Sequence, residues 1–434
     1  MKKSAPSPSC HPKRIVITGM SVISTLGDDL GAFHANLLRG KSGITAWKAP
    51  VSGCFSRIGG DMSAYDMGAK LSSLGRILPT AVFRRLGKLV HQSPRATGIG
   101  MLIAGQAFAD AGLFGVKIRP ERLSAILAGP YLYDLYKQAN WLAFASDPDD
   151  SDVALALKEM DTDALACIME VLGINGPCFS TGGACAAGNI ALRTAMDEIR
   201  YHGSSAALVV SGFHELTPAS LHSLARMGAL SLDRFDAEPG RASRPFAADR
   251  NGFVPATGAA GLVIEELTHA LGRGARIYAE VLGVGINTNS SRNPTPQAEP
   301  MARVMELALE EADVDKNEID YLCAHATATP LGDLAEARAI ERVFGARAGK
   351  LKINALKSML GHQLGASALV EMVACVLQMR NGVLYPTINM ERRDPEISLD
   401  VCANQCVEYR PDTVMKNAFG FGGVNSAAIL RRYD

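Results

Sequence analysis

Apolar positions in this chain fall into two kinds of run. Arg14–Met20 (RIVITGM) and Leu123–Ala128 are short and continuous, which predicts buried strands, whereas near Leu30–Leu38 and over Ala96–Ala111 apolar residues recur at helical spacing. Strand and helix in alternation predict an α/β fold with parallel strands. The second half repeats this opening: Arg276–Val284 (RIYAEVLGV) resembles RIVITGM, and a helical stretch and a buried strand follow each. Both halves also close alike, since Gly252–Leu267 (GFVPATGAAGLVIEEL) and Gly420–Arg431 (GFGGVNSAAILR) each run from a glycine-rich loop into an apolar strand. A duplicated unit explains the pattern and predicts two related α/β lobes with a site between them. The boundaries read as a Ser/Pro/Lys-rich flexible leader at 1–13, an N-terminal lobe at 14–267 and a C-terminal lobe at 268–434. The first lobe is longer. Its excess at 44–95 and 130–170 is expected to build a substrate channel or a subunit contact.

The chain has 434 residues, 47% of them apolar, enough for two such cores. Its 44 basic residues balance 44 acidic ones, so no global field draws it to nucleic acid or to an anionic membrane. No apolar run approaches the roughly 20 residues a bilayer span needs, and Met1–Arg14 lacks the apolar centre of a signal peptide, so the expected location is cytoplasmic. Nine cysteines without a CxxC pair predict neither a disulfide framework nor a zinc ribbon. Cys402 and Cys406 are spaced like half a metal site, but no second pair or nearby histidine follows them, and no metal is expected.

The chemistry concentrates in four segments. In Gly176–Gly203 (GPCFSTGGACAAGNIALRTAMDEIRYHG) small residues crowd Cys185, and apolar positions 188, 192, 195, 196 and 199 then follow a helix. Cys185 at a helix start would be drawn toward thiolate, and Gly182, Gly183 and Ala184 would let a substrate approach closely. With the strand Ala206–Gly212 behind it, the arrangement resembles a nucleophile elbow; the plainer alternative is a packed core thiol. His325 ends the strand Ile319–Ala324 and enters AHATATPLGDLAEA, with Thr327, Thr329 and Asp333 close behind. Ends of parallel strands are where α/β sites form, although a lone histidine there is more often structural. Lys352–Ser358 reads as a strand ending in Lys357, and His362 opens a helix, Gln363–Met379, that carries Glu371. Glu371 falls in an apolar face, where a charge needs a partner, and Lys357 is the candidate. In Asn417–Asn425 (NAFGFGGVN), glycines free backbone amides to face a bound group.

Taken in order, ACAAG, HATATPLGD, KSMLGH and NAFGFGGVN, with SRPFAADRNGFVPATGAAGLVIEEL between the first two, resemble the β-ketoacyl-[acyl-carrier-protein] synthases of the type II, thiolase-fold group. The resemblance runs from about Arg14 to the C-terminus. It implies a thiolase-like fold, two duplicated α/β lobes in a layered αβαβα arrangement. It also implies that Cys185 takes an acyl group from the phosphopantetheine arm of an acyl carrier protein. A malonyl thioester then loses carbon dioxide, His325 and His362 stabilise the enolate, and attack on the acyl-cysteine yields a 3-oxoacyl thioester two carbons longer. Lys357 paired with Glu371 would support the histidines, and the amides of Cys185 and Phe421 would form the oxyanion hole. Phe421 would gate the acyl pocket, and Thr327, Thr329, Phe419 and Gly420 would bind substrate. No metal or dissociable cofactor is implied, since the 4'-phosphopantetheine arrives on the carrier. The implied partners are that acidic carrier and a second ketosynthase-like subunit, in a homodimer or a heterodimer. Arg84, Arg85 and Lys88 are one basic cluster the carrier could meet, with a solvated charge run as the plainer reading.

Several positions depart from the family pattern. Alanines at 326 and 328 stand where the family has glycine, Ala418 replaces a serine and Val424 a threonine, which would narrow the pantetheine tunnel. Tyr131–Ala166 and Asn289–Pro300 do not follow the fatty-acid pattern, and small residues at Ala96, Thr97 and Gly98 suggest altered acyl-chain accommodation. Fatty-acid and specialised polyketide pathways both stay open. Two other readings remain: a catalytically silent partner subunit, which would be expected to lack the nucleophile this chain keeps, and a half-cycle decarboxylase or acyl transferase.

Overall fold

The computed structural model describes residues 13–48, 54–129, 133–232 and 234–434. Residues 1–12 of the leader, with Cys10, and Tyr131 and Leu132 of the first lobe's excess lie outside the described residues. Ten strands form the main sheet: β1 (Ile15–Ser24), β2 (Leu123–Ala128), β3 (Cys178–Thr181), β4 (Ala206–Ser211), β5 (Gly258–Glu266), β6 (Ala279–Thr288), β7 (Tyr321–Cys323), β8 (Lys352–Asn354), β9 (Thr413–Gly420) and β10 (Val424–Arg432). Their spatial order is β8-β7-β9-β10-β6-β1-β5-β4-β2-β3. Counted within its own half, each set of five runs third, second, fourth, fifth, first, so the duplication read from the sequence reappears as one topology used twice.

The sheet is mixed rather than parallel. Parallel pairing is confined to β2 with β3 and β4, and to β7 with β8 and β9. The pairs β4–β5, β5–β1, β9–β10 and β10–β6 are antiparallel, and so is the short β1–β6 pairing that joins the halves. The reason is plainest at β9–β10. Only Phe421–Gly423 separates them, with Gly422 and Gly423 at φ +83° and +73°, and so short a connection can only reverse the chain.

Five layers result. Helix α1 (Arg95–Asp110) covers β1 and β5 from outside; α2 (Ala187–Arg200) and α5 (Ser367–Asn381) fill the space between the two sets of strands; α3 (Ala298–Ala312) covers β6 and β10, with α4 (Pro330–Phe344) packed on α3. Every residue from Ser367 to Met379 is buried, as a helix with apolar side chains all round requires. At Gly188 the two central helices approach so closely that a Cβ would lie 2.8 Å from Ala368 Cβ. The helices expected at Leu30–Leu38 and across Ala96–Ala111 form, as Leu30–Leu38 and α1.

Two local expectations change. Lys357 does not end a strand: β8 stops at Asn354, and Lys357 opens a single helical turn, Lys357–Leu360. His362 does not open a helix either, because its backbone bridges to residues 254–256, donating to Val254 O and accepting from Ala256 N–H, and α5 starts only at Ser367. The first-lobe excess forms the helices Met67–Leu74 and Thr80–Gln92, then Asp134–Ser146, Leu155–Lys158 and Asp161–Leu172. No helix of the described residues is long and apolar enough to cross a membrane.

Candidate active site

The chain leaves β3 at Thr181, turns through Gly182 and Gly183, and passes Cys185 in a 3-10 turn, Ala184–Ala186, before α2 begins. Cys185 therefore sits one turn ahead of the helix proper. Gly183 has φ +118°, and a Cβ there would fall 2.4 Å from Ile190 Cδ1, so the elbow depends on glycine. Cys185 is 7% exposed and lies in the wall of a cavity of about 430 Å³. Burial pushes its thiol up to about 11, against the pull of the Lys357 charge and of the Phe421 and Cys185 amides. The expected pull toward thiolate is outweighed by loss of hydration, which favours the protonated sulfur.

His325, Thr327, Thr329, His362, Phe419, Gly420 and Phe421 line the same cavity. The two imidazoles meet edge to face, with centroids 5.4 Å apart. The amide N–H of Leu364 donates to His362 Nδ1 at 3.2 Å, and the Ser367 hydroxyl lies 2.9 Å from the same atom. An amide can only donate, so Nδ1 carries the lone pair and Nε2 carries the proton. His325 is fixed through its main chain: Glu336 accepts the N–H of His325 at 2.9 Å and that of Ala326 at 2.7 Å. Both rings are held well below the ordinary histidine range, by burial first and then by the Lys357 charge, with Lys416 adding to it and His362 acting on His325. Both shifts favour the neutral ring.

Lys357 and Glu371 stand behind the cavity wall. Lys357 Nζ donates to Glu371 Oε1 at 2.6 Å, as expected, with both side chains 1% exposed. A third member joins them, since Lys416 Nζ lies 2.7 Å from Glu371 Oε2. Sequence reasoning missed Lys416 and also Glu336, although the signal that exposed Glu371 was present for both: a charge inside an apolar run, VMKNAFG for one and LAEARAI for the other.

Gly420 packs against the elbow, where a Cβ would come 2.7 Å from Gly183 O and 3.1 Å from Cys185 N. Phe419 is buried with its ring 5.6 Å from that of His325, while Phe421 is 44% exposed. The Thr327 and Thr329 hydroxyls are 3.1 Å apart. Ala328 adopts φ +67°, a region a glycine would occupy without strain, and is held there by Asp333, which accepts its N–H at 3.0 Å. Asp333 also accepts the Phe246 N–H at 2.9 Å, and burial pushes its carboxyl up to about 7.

The divergent segment at 289–300 contributes Asn289 and Asn293–Pro296 to the cavity wall. Ala96, Thr97 and Gly98 are buried in α1 and line neither large cavity. Their neighbour Arg95 lines a second one, of about 660 Å³, where it pairs with Glu215 at 2.8 Å. Arg84, Arg85 and Lys88 are exposed on Thr80–Gln92, and Arg85 donates to Glu170 O. Cys402 is buried and Cys406 Sγ donates to Leu38 O; no group of three or more metal-ligating side chains occurs among the described residues.

Models of known families match both halves: the β-ketoacyl synthase N-terminal domain over residues 12–270 and the C-terminal domain over 278–391. The chain is 34% identical to the 3-oxoacyl-[acyl-carrier-protein] synthase 2 of Coxiella burnetii, covering 97% of this chain and 99% of that one. It is 32% identical to the corresponding synthase 1 of Escherichia coli, with the same coverage. Nodulation protein E of Rhizobium leguminosarum is also 32% identical, again over 97% and 99%. Among solved structures, a type II polyketide ketosynthase in complex with its acyl carrier protein superposes with a TM-score of 0.86 at 28% identity, covering 98% of this chain and all of that one. The ishigamide ketosynthase/chain length factor does so at 0.84 and 31%, with the same coverage.

Proposed function

Because the chain belongs to the β-ketoacyl synthase family, we propose that it is a 3-oxoacyl-[acyl-carrier-protein] synthase, an acyltransferase that extends a carrier-bound chain by decarboxylative Claisen condensation. The observation that carries this reading is one cavity shared by Cys185 and two histidines, one of them held as the neutral Nε2–H tautomer. Residues 14–267 supply the nucleophile and residues 268–434 supply the histidines and the charge behind them.

In the first half-reaction the Cys185 sulfur attacks the acyl thioester of the carrier. The Phe421 and Cys185 amides receive the developing oxyanion, and the thiol proton leaves on the released pantetheine sulfur. In the second, a malonyl thioester binds with its carbonyl oxygen between His325 and His362. Carbon dioxide departs, and the electron pair left behind becomes an enolate whose oxygen takes hydrogen bonds from the two rings. Its carbon attacks the acyl-cysteine carbonyl, and the tetrahedral intermediate expels the Cys185 thiolate, which takes a proton from solvent. Lys357, anchored by Glu371, lends positive charge to both stages. Thr327 and Thr329 suit the amides of the pantetheine arm, and Phe421, half exposed at the mouth, suits a gate. Loss of carbon dioxide drives the bond-forming step, so no metal or dissociable cofactor takes part.

The partners that fit are an acyl carrier protein and a second ketosynthase-like subunit. β3 is an edge strand with Phe179 exposed, and Trp141, Leu142, Phe144, Leu157 and Met160 are exposed in the excursion before it, as a subunit contact requires. The reaction belongs in the cytoplasm, in fatty-acid or polyketide biosynthesis. A silent or half-cycle subunit is not favoured, because nucleophile, both donors and their supports are all in place. Intact-protein mass spectrometry tests the reading. Acyl-carrier protein should add one acyl group at Cys185, and malonyl-carrier protein should then remove it as a product two carbons longer. An unmodified Cys185 would point to the silent subunit, and loading without extension to the half-cycle enzyme.

A further inference from the structure

Lys416 lies within β9 with no exposed surface, its Nζ 2.7 Å from the Glu371 oxygen that Lys357 does not take. One carboxylate, Glu371, lies between the two ammonium groups, while Glu336, the buried carboxylate that also feels Lys357, is taken up by the His325 and Ala326 amides and by Asn417 Nδ2. A buried charge without a full partner is costly, and among the described residues the one hydrogen bond this ammonium donates outside Glu371 goes to the Asn417 carbonyl of its own strand. The backbone around it is tied to the reacting groups. The Lys416 carbonyl accepts from Asn189 Nδ2 at 3.2 Å, four residues beyond Cys185 on α2, and the same strand continues to Phe419 against His325 and Gly420 against the elbow.

We propose that Lys416 is a positioning residue for the condensation: by sharing Glu371 with Lys357 it maintains net positive charge behind His325 and His362, which keeps both rings neutral and favours the negative charge that builds on the malonyl thioester oxygen. The inference rests on the ketosynthase reading above. The groups that face His325 are Lys357, Lys416, His362, Cys185 across the cavity and Glu336 at its main chain; those that face His362 are Lys357, Lys416, His325 and Ser367. Proton uptake at His362 Nδ1 would set that nitrogen against the Leu364 N–H it now accepts, so an imidazolium loses the orientation of the ring. Each positive charge behind the rings lowers their proton affinity; removing one raises it, and the acid limb of decarboxylation must then move to higher pH.

The experiment measures carbon dioxide release from malonyl-carrier protein across pH, beside acyl loading of Cys185. Lys416→Met should slow decarboxylation about tenfold and move its acid limb up by about one pH unit, with loading reduced less, while Lys416→Arg should bring the limb back toward wild type. A folded Met variant with an unmoved limb, or one that loses loading and decarboxylation by the same factor, would overturn the proposal. If the Met variant does not fold, histidine NMR titration of the wild type decides: the two rings must stay neutral well below the ordinary histidine range, and titration at the ordinary value overturns the idea. Failure of the ketosynthase reading itself would look different, as a wild-type Cys185 that never accepts an acyl group.

Discussion

The molecule contains the same bend twice and uses it for different ends. After β3 the chain passes a 3-10 turn, Ala184–Ala186, and enters α2; after β8 it passes another, Leu364–Ala366, and enters α5. Each turn begins on a non-glycine residue in the left-handed region, Ala184 at φ +48° and Leu364 at φ +52°. At the middle position one bend carries Cys185 and the other Gly365. The second bend carries no thiol, and its candidate groups stand just ahead, in Lys357 and His362. The strand ends differ in the same way, since β2 leads to Gly129 and β7 to His325. Duplication supplied two equivalent frames, and in the proposed reaction side chains divide the work: the first half would take up the acyl group and the second would stabilise the charge.

The sharpest way to break that division is to remove one side at a time. Cys185→Ala should lower acyl loading by about a thousandfold or more while leaving malonyl decarboxylation measurable, because the enolate donors belong to the other half. A variant that loads normally by mass spectrometry would show that another group is the acceptor. Replacing a donor is the converse. His325→Ala or His362→Ala should cut decarboxylation by about a hundredfold or more, with a smaller effect on loading. Equal losses in both half-reactions would mean that the two halves do not divide the chemistry.

A smaller effect distinguishes the environment of the first bend from what its sequence suggests. With the thiol pushed up to about 11, the thiolate fraction at neutral pH is small and grows about tenfold per pH unit. Alkylation of Cys185 by iodoacetamide should follow that slope up to about the thiol's own value, and a plateau near neutrality would restore the resting thiolate.

That correction marks where the sequence stops being informative. Short apolar runs, the repeated closings and the order of ACAAG, HATATPLGD, KSMLGH and NAFGFGGVN carry the two-lobed architecture and the residues that meet in the cavity. Those signals are local or recur in order, and one chain displays them. Strand direction is not local: it depends on which neighbour a strand pairs with, so a mixed sheet reads as parallel. The state of the thiol depends on how much water the fold removes, and a helix-start motif does not encode that. Lys416 escapes because it sits in a short strand just ahead of the glycine loop, whereas Glu371 sits in a long helix whose apolar periodicity exposes any charge. The bridged backbone of His362 depends on the segment 254–256, about a hundred residues away in sequence.

The smallest expected effect compares the two bends as backbone. Gly183 precedes the first with φ +118°, a backbone conformation that strains any side chain, and a Cβ there would also have to push aside Ile190 Cδ1, 2.4 Å away. Gly365, in the middle of the second, would place a Cβ no closer than 3.5 Å to any neighbour, the nearest being Ala184 O. Gly183→Ala should therefore cost about 1–3 kcal/mol through backbone strain and displace Cys185, seen as lower thermal stability together with lost loading. Gly365→Ala fits an ordinary contact and should change stability by under about 1 kcal/mol. If the two variants unfold at the same temperature, the bends are under the same constraint, and their difference lies in side chains alone. If they separate as expected, the first bend is the more tightly determined, as the one that presents a sulfur to the cavity beside Gly420 of the other half.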